Sequence, residues 1–180
     1  MTSLNTNLNI FLENLLFLVV ATSFLVFVGR LWRHSKPFSL PQPLPSSWFK
    51  TWLYIVLVVG VLFPLLAMLL WGLWWSNSRV IQALLPYLVI LALQILSESV
   101  TLKRYRSCVW VTIPCLYIPY RIWQLHIGLR LLSLEGGSLW IQRLLVVLIV
   151  LWIFNYGVHL SQLPRLLRWE VHQNNKISRN

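Results

Sequence analysis

The residues with the most chemical potential lie in two apolar stretches. In the first, Tyr87, Gln94, Glu98 and Thr101 fall within about 60° of one another at 100° per helical residue. The second reads Ile113-Pro114-Cys115-Leu116-Tyr117-Ile118-Pro119-Tyr120-Arg121-Ile122-Trp123-Gln124-Leu125. There Tyr117, Arg121 and Gln124 share one face with Gly128. Such stripes have two uses in a membrane segment. They tie helices together by hydrogen bonds, or they line a proton or ion path. Arg121 has the same choice. It is an anchor held by Glu13, Glu98 or opened carbonyls, or it is a site for an anionic lipid or ligand. Pro114 and Pro119 each remove a backbone hydrogen bond, which predicts a kinked or broken helix with carbonyls in need of partners.

Other chemistry does not assemble. His126 and His159 are the His residues expected within spans, at depths differing by roughly 20 Å, too far apart to share a haem iron. Asn155, His159 and Gln162 share a face that reads as a packing seam. Cys108 and Cys115 would be separated by roughly 10 Å along one helix, so no disulfide is expected. No further ligands complete a metal site. Asp is absent, and there is no Gly-rich phosphate loop, His-Glu-x-x-His helix or Ser-His-acid order at plausible depth. No cofactor, metal or catalytic residue is therefore expected.

The elements that position these residues follow from composition. Of 180 residues, 58% are apolar and 11% charged, with 11 Trp and a net charge of +11. Disordered chains lack this aromatic and aliphatic content. Two Cys cannot make a disulfide scaffold. So few charges could not coat a soluble globule. A single-domain, all-α polytopic membrane bundle is what these numbers allow. Five spans are expected at about 10–31, 51–75, 80–96, 108–132 and 139–160, with a basic tail over 161–180. The third is short, and the fourth carries the two prolines. A re-entrant fourth segment is the alternative to a crossing.

Basic residues set the orientation. Arg30, Arg33, Lys36, Lys50, Lys103, Arg104, Arg106, Arg165, Arg168, Lys176 and Arg179 fall on one side of such a five-span chain, and Arg79 on the other. The positive-inside rule then places the N-terminus outside and the C-terminus in the cytoplasm or stroma. Trp32, Trp48, Trp52, Trp110 and Trp169 fall at inner ends, and Trp71, Trp74, Trp75 and Trp140 at outer ends. Trp152 fits neither belt and is expected to pack in the bundle or face lipid. Glu13, about one turn in from the outer side, could pair with Arg130 or Arg143. The first segment has no basic n-region, so it reads as a retained helix and not a cleaved signal. Basic flanks account for contact with anionic headgroups on the inner face, without invoking nucleic acid. The proline-rich stretch Ser35–Ser47 reads as a stiff spacer or a docking strip.

The string from Ile113 to Leu125, with Gln94-Ile95-Leu96-Ser97-Glu98 before it, resembles small integral membrane proteins of cyanobacteria and plant plastids. That resemblance implies a thylakoid or bacterial inner membrane and no particular activity. The expected role is non-enzymatic: an accessory subunit or assembly factor that meets other membrane-protein subunits. A small oligomeric transporter or channel centred on the fourth segment is the alternative. A lipid-modifying enzyme is the third reading, for which no acid–base pair can be named.

Overall fold

The computed structural model describes residues 2–31, 47–103, 112–134 and 138–167, with side chains over 12–30, 51–101, 112–134 and 138–161. The described residues are helical apart from the short turn at 75–77 and Ser138. Helix α1 covers Thr2–Leu31. A second rod combines α2 (Ser47–Leu57), α3 (Phe63–Ala67) and two π-helical stretches, Val58–Leu62 and Met68–Trp74. Then come α4 (Ser78–Lys103), α5 (Thr112–Leu134) and α6 (Leu139–Leu167). The proline strip at 35–46, Cys108, Arg104, Arg106, Gly136, Gly137, the Gln162 side chain and the tail beyond 167 lie outside these residues.

Four helices are long and apolar enough to cross a bilayer: Leu12–Arg30, Thr51–Trp74, Ser78–Thr101 and Leu139–Ser161. Helix α5 falls outside that group, yet it runs the length of the bundle. Its Gly128 packs on Ala83 and its Arg121 reaches Gln94, so α5 is antiparallel to α4. Gln142 donates to the Leu132 carbonyl, and Arg121 stacks on Trp152, so it is also antiparallel to α6. Asn14 meets Gln124, and Phe17 meets Tyr117, which fixes the same sense against α1. At 1.5 Å per residue, its 23 residues measure roughly 34 Å, enough for the hydrocarbon layer. A helix enclosed by protein need not be apolar all round. Its low hydropathy comes from Tyr117, Arg121 and Gln124 on a buried face and from His126 and Arg130 on the exposed one.

Two sequence expectations require correction. The fourth segment is not broken, because α5 is continuous through both prolines. Pro114 sits in the first turn, where an N–H would lack an intrahelical acceptor in any case. Pro119 lies inside the helix and removes one bond, and the helix continues past it to Leu134. The third segment is not short either, since α4 has 26 residues. The helix continues past Leu96 through Ser97, Glu98 and Ser99, and Glu98 accepts from Gln94 one turn back.

The core has two parts. The larger joins Val80, Leu84, Leu91, Ile118, Leu125, Leu132, Ile141, Leu145 and Leu148 between α4, α5 and α6. A smaller part places Ala21 of α1 against Ile90, Ile113 and Tyr117. The close approach of α4 and α5 depends on Gly128, where a Cβ would come within 3.1–3.3 Å of Ala83 side chain and backbone. Helix α1 stays on the periphery and exposes Leu12, Leu15, Leu16, Val19, Val20, Phe24 and Phe27.

Candidate functional site

The polar residues of α4 and α5 converge at mid-bundle. Arg121 is fully buried, Gln94 is 6% exposed, and Gln124 is 7% exposed. Tyr87 and Tyr117 are buried as well. The expected stripes therefore face protein, since lipid could not satisfy them.

The guanidinium of Arg121 is held from two sides. Its Nη2 donates to Oε1 of Gln94, and its face lies 3.8 Å from the ring centroid of Trp152. Gln94 in turn donates from Nε2 to Oε1 of Glu98 at 2.6 Å. One amide thus links a cation and a carboxylate, and only this amide orientation serves both. Among the described residues Arg121 makes no direct salt bridge; Glu98 reaches it through Gln94. Two contacts offset part of the burial cost, while Nε and Nη1 have no partner among the described residues. A mid-span Arg costs about 2.5–3.5 kcal/mol on insertion scales. A desolvated cation–π contact returns about 2 kcal/mol, and a charge-assisted hydrogen bond about 1.5–3 kcal/mol.

The cluster extends to the second rod. Trp152 donates from Nε1 to the Tyr87 hydroxyl at 3.0 Å, and that hydroxyl donates to the Gly60 carbonyl. Gly60 lies in the first π-helical stretch, four residues before Pro64. In a π-helical stretch the regular donor is five residues on, so the missing N–H of Pro64 costs this carbonyl nothing, and Tyr87 adds a side-chain bond to it. Gly60 also lets Trp152 approach, because a Cβ there would sit 3.0 Å from the ring. Arg121, Gln94, Tyr87, Trp152 and Gly60 therefore join α5, α4, α6 and the second rod.

A second polar cluster attaches α1. Asn14 Oδ1 accepts from Gln124 Nε2 at 2.6 Å and from the Tyr120 hydroxyl at 2.9 Å. Phe17 stacks on Tyr120 with centroids 3.8 Å apart. Glu13 accepts from Trp123 Nε1 at 3.0 Å, and not from Arg130 or Arg143 as its depth suggested. Arg143 instead lies over the Trp140 ring at 5.6 Å. At the rod's other end, Trp52 donates to Asn155 at 3.2 Å, which ties that one residue of the expected seam to the second rod.

The structure brings together Tyr87, Gln94, Arg121 and, through Gln94, Glu98. Tyr117 faces α1 through Phe17, and Gln124 faces it through Asn14. Pro114 is buried and Pro119 exposed, and neither forms a break. The expectation that opened carbonyls hold Arg121 is replaced by Gln94 and Trp152. Gly60 and Asn14 escaped the sequence reading. Gly60 acts through its backbone, which leaves no side-chain signal. Among the described residues no three His, Cys, Asp or Glu side chains gather as a metal site.

The fold and site define an all-helical, polytopic membrane protein with an interior polar cluster. The chain belongs to the family described as a domain of unknown function, DUF7733, whose profile matches residues 1–168. No curated protein and no solved structure matches it.

Proposed function

We propose that this protein works by association, as a non-enzymatic accessory subunit or assembly and stabilising factor of a larger membrane complex. One observation carries this reading. Arg121, the costliest side chain in the bundle, is sealed inside and ties α5 to α4 and α6. The interior then serves cohesion, and the outer helix faces are what the molecule offers to its surroundings. Helix α1 fits that role, being apolar, largely uncovered and attached through few residues. The membrane proposed is a bacterial inner membrane or thylakoid, in keeping with the resemblance of the Ile113–Leu125 string. The N-terminus would lie outside, and the basic flanks against anionic lipid on the inner face. Purification of the tagged chain in mild detergent should yield a stoichiometric partner. A lone chain, with nothing added by prior cross-linking, contradicts the proposal.

A second reading, transport through an oligomer, draws on one feature. Arg121 Nε and Nη1 and Gln124 Oε1 have no hydrogen-bond partner among the described residues. Buried donors and an acceptor of this kind suit a hydrated path. Ion flux in liposomes that disappears in Arg121→Gln supports transport; no flux in the unaltered protein removes it.

A further inference from the structure

The outward face of α5 carries an unusual stripe. Pro119, Trp123, His126 and Arg130 are spaced four, three and four residues apart, fall within about 60° of one another, and are all exposed. Beside them α1 presents Glu13, Leu16 and Val20, also exposed. Glu13 is level with Trp123, which donates to it, and has no other partner among the described residues. His126 makes only a ring contact with Trp123, at 6.3 Å between centroids. Counting from Leu134, His126 lies roughly 12 Å below the end of α5 and Trp123 roughly 16 Å. Lipid at that depth cannot satisfy a carboxylate and an imidazole.

We propose that this face is where two copies of the chain meet, with Glu13 of each copy bonded to His126 of the other. Charge complementarity within the patch argues for a second copy as the occupant. A two-fold axis along the membrane normal returns every residue to its own depth. Acceptor and donor can meet across it only if they are nearly level. Glu13 and His126 differ by about 4.5 Å in depth, three helical residues, which a Glu side chain spans. The patch therefore complements itself, as an isologous interface requires. Arg130, one turn nearer the surface, extends to the headgroups and is not needed for the contact.

The test uses the full chain with Cys108 and Cys115 replaced by Ser. Glu13→Cys and His126→Cys, carried on differently tagged copies and co-expressed, should form a mixed disulfide on oxidation. Glu13→Cys paired with Val147→Cys, exposed on α6, should not. Single-molecule photobleaching in liposomes should show two-step spots for the unaltered chain. Glu13→Gln removes a bond from each copy and should weaken pairing by about tenfold, the scale of two intramembrane hydrogen bonds. The exchange Glu13→His with His126→Glu should restore it, and Leu16→Trp should disrupt pairing without touching the polar pair. One-step spots for the unaltered chain, or equal cross-linking at Val147, overturn the proposal. These outcomes leave the heteromeric reading untouched: a monomeric variant that still brings down other subunits supports this contact and that reading together.

Discussion

The two polar clusters are built from residues of very different visibility. Tyr87, Gln94, Tyr117 and Gln124 were legible because polar side chains at helical spacing in an apolar segment must face protein. Gly60 and Asn14 were not, one acting through a carbonyl and the other looking like an ordinary polar residue near a chain end. The cation–π contact with Trp152 yields a sharp expectation. Arg121→Lys keeps the cost of burying a charge but loses the flat contact and the fork of donors. Arg121→Met loses the charge as well as the contacts, which can be nearly neutral for a buried ion. Thermal unfolding in detergent should therefore place Arg121→Lys below Arg121→Met. Tyr87→Phe removes the bond to the Gly60 carbonyl and leaves the Trp152 N–H without its acceptor. It should cost about 1–2 kcal/mol, read as a lower unfolding temperature.

Helices in this bundle are joined by two kinds of contact, and each responds differently to substitution. The α4–α5 seam is steric. Gly128→Val would push against Ala83 backbone at 3.2–3.3 Å, which cannot yield as a flexible side chain would. It should destabilise by about 1–3 kcal/mol, the usual cost of overpacking. Gly157→Ala on α6 is the control, with nothing within 4 Å of the added Cβ. It should be neutral or stabilise by up to about 1 kcal/mol through helix propensity. Denaturant titration of the two variants in the same detergent separates the cases. At this scale the sequence was legible in the number and places of the helices. It misled where one residue was judged without its neighbours. Pro119 reads as a break when its lost hydrogen bond is counted alone, yet the rest of the helix carries through it.

For the whole molecule, hydropathy and packing give different answers, and the difference is physical. By hydropathy four helices suit lipid. By packing, α5 lies antiparallel to α1, α4 and α6 along their length. A segment too polar to meet lipid on every side crosses when its neighbours enclose its polar face. That enclosure is the central claim here, since the depth of Arg121, the sealed cluster and the pairing face all depend on it. The most direct measurement is the side of the membrane reached by reporters fused ahead of Met1 and after Asn180. Five passes put the two reporters in opposite compartments. Both reporters on one side would mean that α5 enters and returns, contradicting the account.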